Sequence, residues 1–353
     1  MSTVIASNLQ ASGATGTAAL LASINGGPIS GARNRIINGD MRIDQRNAGA
    51  SVTPVPDGYT LDRWYVAELT DGSISVQRVA EAPATFTNSL KVTVSTADAT
   101  LAAGQITEVK QIIEGFNTAD FGFGAAGAST VTLSFWVRSS VTGTFSGSLQ
   151  NGAFNRSYPF SYAINLANTW EQKFITIAGD TTGTWVTNNN AGLILVFSLG
   201  AGTTYSGTAG AWAGSDLRAV TGAVNLLATA SATWQITGVQ LEAGSVATPF
   251  ERRSYGQELA LCQRYYEKTT NFATCAVGLG TSSRGSALLF KVVKRAAPTI
   301  TYSGGTAFNS SGGSLASPTF AGNVIETDFA SFMVTNHSNA VQIGATIEAS
   351  IEL

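Results

Sequence analysis

The chain has 353 residues, 44% of them hydrophobic, with 38 Gly, a net charge of −2 and only 12% charged residues, against about 25% in an ordinary soluble domain. Low net charge with ample aliphatic content excludes a disordered chain, non-periodic Gly excludes collagen, and 20 Lys+Arg against 22 Asp+Glu excludes a general nucleic-acid binder. The length predicts two domains with an appended arm, and a surface kept wet by Ser, Thr, Asn and Gly suits close-packed assemblies and extended β structure.

In chain order, residues 1–33 reach their first charged side chain only at Arg33 and are interrupted by Gly26-Gly27-Pro28. They read as an arm without its own core. Their apolar run, Ala18 to Ala22, is too short to span a bilayer and has no basic residues before it, so neither membrane insertion nor a secretory signal is expected. From Arg35 onward, short runs alternate apolar and polar residues between Gly, Asn, Asp and Thr clusters, the strand-and-turn pattern of an all-β sandwich. In Val131-Thr132-Leu133-Ser134-Phe135-Trp136-Val137-Arg138, the odd-numbered residues share one face and Thr132, Ser134, Trp136 and Arg138 the other. Lys173 to Ile177, Leu193 to Leu199 and Trp234 to Leu241 read in the same way.

A helix is predicted from Ser254 to Lys268, with Ser254 as N-cap and Gln257 completing a capping box. Tyr255, Leu259, Cys262 and Tyr266 fall on one stripe of it. That stripe packs either on the chain's own domains or in a symmetric bundle with copies of itself. Strands resume at Ala273–Leu279, Ser286–Lys294, Thr299–Tyr302, Asp328–Thr335 and Val341–Leu353, with a long loop over Gly304–Ser317. Cys262 and Cys275 read as free thiols rather than a disulfide framework.

Little in the chain points to catalysis. The motif Gly122-Phe123-Gly124-Ala125-Ala126-Gly127 precedes a strand instead of a helix, and no acid follows at the ribose-binding distance, so it reads as a turn and not a dinucleotide site. The single histidine, His337, has no Gly-x-Ser-x-Gly elbow to serve and cannot form a histidine-based metal cluster. The acids are scattered. Asp40 and Asp44 fall on one face of a presumed strand, and Asp57 sits in a Pro56-Asp57-Gly58 turn; these read as turn and surface acids, with a calcium role as the alternative.

The aromatic residues suggest more. Trp136 and Arg138 on the polar face of their strand form either a flat sugar-stacking platform or an interface covered by a second layer. Trp185 beside Asn188-Asn189-Asn190, and Trp212 with Tyr205, lie in loop-like surroundings where aromatics next to amides bind sugars. Trp64, Trp170 and Trp234 read as core or strand-edge residues.

Several segments resemble phage and prophage tail-fibre or minor structural proteins. The opening motif runs Asn34-Arg35-Ile36-Ile37-Asn38-Gly39-Asp40-Met41-Arg42-Ile43-Asp44-Gln45-Arg46, followed by Tyr59-Thr60-Leu61-Asp62-Arg63-Trp64. The closing motif is Ile236-Thr237-Gly238-Val239-Gln240-Leu241-Glu242-Ala243-Gly244, then Thr248-Pro249-Phe250-Glu251-Arg252-Arg253 and Glu258-Leu259-Ala260-Leu261-Cys262-Gln263-Arg264-Tyr265-Tyr266, with Arg295-Ala296-Ala297-Pro298-Thr299 further on. The resemblance covers residues 34–353 and leaves out the arm.

It implies an all-β architecture in four parts. Residues 1–33 are a virion-docking arm, 34–250 a carbohydrate-binding-module-like jelly-roll β-sandwich, 251–269 a short connecting helix, and 270–353 a C-terminal β-sandwich or knob. In related modules the Asn38-Gly39-Asp40 and Val239–Leu241 regions are the first and last strands and often hold a structural calcium. Here Met41-Arg42 and Thr237-Gly238 occupy the places of the acids, so no metal ligand is assigned and no cofactor is expected. The function implied is a non-enzymatic virion fibre or spike subunit, made in a bacterial host cytoplasm and homotrimeric through Tyr255, Leu259, Cys262 and Tyr266. It would bind other virion proteins through residues 1–33 and contact host-surface polysaccharide through Trp136, Arg138, Trp185 and Trp212. The alternatives are a capsid or collar decoration protein that binds no glycan, and a polysaccharide depolymerase.

Overall fold

The structure, a computed structural model, describes residues 23–24, 27–28, 32–52, 57–274, 282–283, 287–309, 314–315, 319–335 and 340–353. Cys275, His337 and nearly all of the 1–33 arm lie outside the described residues. Two antiparallel sheets form a jelly-roll β-sandwich. Its strands are β1 Asp57–Leu61, β2 Trp64–Leu69, β3 Ser73–Val79, β4 Ser89–Thr96, β5 Ile106–Glu114, β6 Val131–Ser139, β7 Gly143–Asn151, β8 Ser157–Ile164, β9 Glu171–Ile177, β10 Ala191–Ala201 and β11 Thr233–Ala243. One sheet has six strands in the order β8-β7-β10-β5-β2-β1, and the other five in the order β9-β6-β11-β4-β3.

The alternation predicted for β6 is the one found. Val131, Leu133, Phe135 and Val137 are fully buried and face Leu193, Leu195, Phe197 and Leu199 of β10 in one core, which Trp64 and Trp234 join. Each such side chain contributes about 1.5–3 kcal/mol by leaving water. The two tryptophans bury their rings without stranding a donor: Trp64 Nε1 donates to the Asn38 carbonyl at 3.0 Å and Trp234 Nε1 to the Tyr162 hydroxyl at 3.2 Å.

The opening motif differs from expectation in one respect. Asn38-Gly39-Asp40 is a turn, not a strand, with Asn38 and Met41 both in the left-handed region at φ 57° and 58°. The turn does lie beside β11, because Val239 N–H donates to the Gly39 carbonyl at 2.9 Å and Asn34 Nδ2 to the Val239 carbonyl at 3.0 Å. A Cβ on Gly39 would stand 2.2 Å from the Val239 oxygen, so only glycine permits this approach. Asp44 accepts from Asn47 N–H and Gly49 N–H in the next turn, while Asp57 opens β1.

The helix, α1, runs from Tyr255 to Gln263 and is shorter than predicted. The capping box at Ser254 and Gln257 is present. The far end closes early because Lys294 Nζ takes the Gln263 carbonyl at 2.6 Å and Arg264 turns to pair with Glu114 through two 3.0 Å contacts. The aromatic and β-branched residues that follow then favour extended backbone. Tyr266, read as part of the helical stripe, is instead the first residue of strand β12, Tyr266–Thr274.

Beyond it come β13 Ala287–Leu289, β14 Thr299–Asn309, β15 Thr319–Ile325, β16 Phe329–Thr335 and β17 Ala340–Ser350. β17 lies between β12 and β14, and β16 between β13 and β15. Phe290, Ala330, Ile347 and Ala349 form a small core of their own. Three readings need correction. The strand expected over Ser286–Lys294 ends at Leu289, and Phe290 to Lys294 are not strand. β14 continues through Gly304 to Asn309 and pairs with Ser314–Leu315, so this part of the expected Gly304–Ser317 loop is strand. The final strand stops at Ser350, and Ile351-Glu352-Leu353 leave the sheet.

That tripeptide enters a joint where nearly all the motif segments meet. Arg63 is 1% exposed, lies 3.5 Å over the Tyr265 ring, pairs with Glu352 and donates to the Ile112 carbonyl. Arg46 stacks on Tyr266 at 3.7 Å and binds the same Glu352 carboxylate at 2.8 Å. Leu353 packs with Ile37, Ile43 and Cys262. Asn38 N–H donates to Glu258 of α1 at 2.5 Å, and Asp62 accepts from Gln45 N–H and Gln45 Nε2. Burial raises the Asp62 carboxyl to about 6 even against those Gln45 bonds. Lys294, also 1% exposed, pairs with buried Glu267 at 2.6 Å.

Candidate functional site: an aromatic cup at one end of the sandwich

Trp185 and Trp212, 27 positions apart in predicted loops, meet at a ring separation of 5.5 Å and an interplanar angle of 85°. Phe123 completes the corner, 4.9 Å from Trp185 and 5.7 Å from Trp212, and Tyr158 of β8 backs Trp212 at 5.3 Å. All the contacts are edge-on, the arrangement that ring quadrupoles favour. The three loop aromatics are partly exposed. They come from the β5–β6, β9–β10 and β10–β11 connections.

These loops are held by their own backbone and by one ion pair. Arg156 grips Asp180 with both arms, at 2.6 and 2.8 Å, and Asp180 is 2% exposed. Burial alone would raise the Asp180 carboxyl, but Arg156 and the Thr182 amide and hydroxyl hold it below its usual range. The Asp180 carbonyl receives Gly124 N–H at 2.7 Å. Gly124 has φ +88°, and a Cβ there would meet the Gly183 carbonyl at 2.8 Å. Trp185 Nε1 donates to the Thr182 carbonyl at 3.2 Å and Trp212 Nε1 to the Ala178 carbonyl at 2.7 Å. Both indole donors are therefore spent on the scaffold, which fixes the rings and leaves them only carbon faces to offer. Beside Phe123 and Trp185 lies a cavity of about 130 Å³, with Leu193 and Thr118 buried in its wall and Ala119, Ala125 and Thr187 exposed.

Trp136 and Arg138 lie elsewhere, on the outer face of the five-stranded sheet, as their alternation predicts. Arg138 is engaged there, its guanidinium pairing with Glu81 at 2.9 Å and donating to the Asn168 carbonyl. Trp136 is half-buried between Gln172 and Thr237 on the neighbouring strands. The structure thus divides the four candidates into two separate pairs. Sequence reasoning missed Phe123, Tyr158 and the Arg156–Asp180 clamp. Gly122-Phe123-Gly124 did carry a signal, an aromatic displayed between two turn glycines, which a test aimed at phosphate binding passed over.

The stripe Tyr255, Leu259, Cys262 and Tyr266 is also divided. Cys262 is fully buried against Ile37, Ile43 and Tyr265 of the same chain, Leu259 packs at that cluster's edge, and Tyr266 is 2% exposed under Arg46. Burial raises the Cys262 thiol well above its usual range and keeps it inert. Tyr255 alone stays open, 56% exposed. The stripe as drawn is a contact within the chain, because the opening motif folds back onto it.

The outer face of the six-stranded sheet is covered. Residues 202–225 cross it, with Gln150 Nε2 donating to Asp216 at 2.6 Å, Val224 N–H to the Thr144 carbonyl and Arg218 pairing with buried Glu108 at 3.2 Å. At its other end Leu353 lies on Ile112, Ile194 and Val196. Among the described residues no group of three or more His, Cys, Asp or Glu is placed to hold a metal ion, and no helix is long and apolar enough to cross a membrane.

No family model matches the chain, and no curated protein matches it. Solved structures with a similar fold include a tailspike enzymatic domain of bacteriophage CBA120, at 12% identity and TM-score 0.32, covering 60% of this chain and 21% of that one. A cellulose-binding domain of a β-1,4-glucanase from Cellulomonas fimi is similar at 17% identity and TM-score 0.28, over 52% of this chain and 90% of that one. A family 11 carbohydrate-binding module from Clostridium thermocellum, solved with a mixed-linked tetrasaccharide, is similar at 9% identity and TM-score 0.30, over 57% of this chain and all of the module.

Proposed function

We propose that this chain is a non-enzymatic subunit of a phage fibre or spike, that it contacts host-surface glycans through its β-sandwich, and that the aromatic cup is the contact. The observation that carries the reading is the fixed, partly exposed group of Phe123, Trp185 and Trp212, the first two of which line a cavity. Sugars offer C–H faces to aromatic rings, and preorganised rings bind without paying to be ordered. The resemblance of the opening and closing motifs to tail-fibre proteins supports the virion setting, with residues 1–33 as the docking arm.

Glycan arrays probed with wild type, Trp185→Ala and Trp136→Ala test the site. Binding by wild type and Trp136→Ala but not by Trp185→Ala is expected; retention by Trp185→Ala refutes the cup. The same reading proposes a homotrimer. Size-exclusion chromatography with light scattering checks it, and a stable monomer counts against it.

A second reading, a decoration protein without a ligand, is favoured by one observation: both indole donors are turned inward. It predicts no retention of any glycan by the wild type.

A further inference from the structure

The cavity beside Trp185 has a chemistry more restrictive than its aromatic rim. Its wall is mostly carbon, from Ala119, Ala125, Val186, Leu193 and the rings of Phe123 and Trp185, with Thr118 and Thr187 as its polar side chains. The indole N–H that could have served a ligand is held by the Thr182 carbonyl. A sugar hydroxyl pushed against the carbon part of this wall gives up its water and finds no partner there. No lining residue is charged, so the carboxylate of an acidic sugar finds no counter-ion. A methyl group is the part of a glycan that such a wall favours.

Two polar side chains qualify this, Thr187 at the exposed rim and Thr118 deeper in the wall. Thr118 lines the cavity and is 8% exposed, and its hydroxyl reaches only the Gly115 carbonyl, at 3.5 Å. That is the outer limit for an O–H···O contact, whose usual length is 2.7–2.8 Å, so the hydroxyl keeps capacity for a better partner. Carbon wall and under-used hydroxyl together match a substituent with a methyl group and an amide side by side. The volume of about 130 Å³ corresponds to roughly four waters at about 30 Å³ each, enough for a substituent and a ring edge.

Resting on the glycan-binding reading, we infer that the cup selects sugars bearing an acetamido group, with the methyl on the Val186, Leu193 and Trp185 surface and the amide at Thr118.

The test is calorimetric titration of the intact protein with N,N′-diacetylchitobiose, with its deacetylated form and with fucose, which carries a methyl but no amide. The acetylated sugar is expected to bind about tenfold or more tightly than the deacetylated one, the usual worth of filling a small apolar pocket, with fucose between them. Ala125→Trp, at an exposed position of the rim, fills the cavity from outside the core. It is expected to abolish the acetyl preference at unchanged melting temperature. Equal affinities, a preference that survives Ala125→Trp, or fucose binding as tightly as the acetylated sugar each overturn the inference. Binding of glycans without acetyl preference overturns this inference alone, whereas no binding to any glycan overturns the glycan reading with it.

Discussion

The joint and the cup are built from opposite materials. Around the joint, in a chain with few charges, Asp62, Arg63, Glu114, Glu258, Glu267 and Lys294 are all buried. Around the cup the lining is uncharged and partly open. Nearly every recognisable motif segment ends in the joint: Asn38 on Glu258, Arg63 on Tyr265 and Glu352, Gln45 on Asp62. The cup uses residues from none of them. Motifs of this kind therefore mark how two β regions are fixed together, and the surface left free to meet a ligand is written in loops that carry no motif. The low charge also reads differently in this light. Part of the chain's scarce charge is spent inside, where buried partners demand one another.

The largest effect is expected on removing residues 340–353. This deletes β17, the strand between β12 and β14, together with the Glu352–Leu353 plug, and insoluble protein is expected; soluble, folded product would show that the joint is dispensable. Next is Glu352→Ala, which leaves the buried Arg63 without the carboxylate it pairs with. A loss of about 3–5 kcal/mol is expected in denaturant titrations, and a loss below 1 kcal/mol would mean the pair is idle.

A pH series sharpens the same point. An unfolded aspartate ionises near pH 4, whereas Asp62 in the fold does so at about 6. Between these values the folded chain keeps a proton that the unfolded chain has released, so stability falls as pH rises from about 4 to about 6. Asp62→Asn is expected to flatten that segment by about 3 kcal/mol, and an unchanged slope would assign it to another group. The smallest stability effect falls on the cup. Trp212→Ala removes ring contacts at a half-exposed position and is expected to cost about 1–2 kcal/mol, while circular dichroism of the sandwich stays native.

Much of the fold was legible because strands and caps follow local rules. Alternation placed Val131, Leu133, Phe135 and Val137 inside with Trp136 and Arg138 outside, and Ser254 with Gln257 announced the helix start. The helix end was not legible. Tyr266 continues a 3.6-residue stripe as well as it opens a strand, and the choice was made by Lys294, 31 positions beyond the Gln263 carbonyl it caps. The strand through Gly304 and Gly305 was missed for a similar reason: two glycines read as a loop until β17 pairs alongside. Of the candidate site, Trp185 and Trp212 were legible as loop aromatics, but their meeting was not.

By itself, the sequence determined an all-β chain, the inward and outward faces of its strands and a capped helix, since each depends on residues within a turn or a strand of one another. The tertiary structure decided that Arg63 meets Glu352 from 289 positions away, that Cys262 is buried in its own chain, and that Phe123, Trp185 and Trp212 share one corner. Such contacts are chosen by which loops the sheet order brings together, and no local periodicity encodes that order.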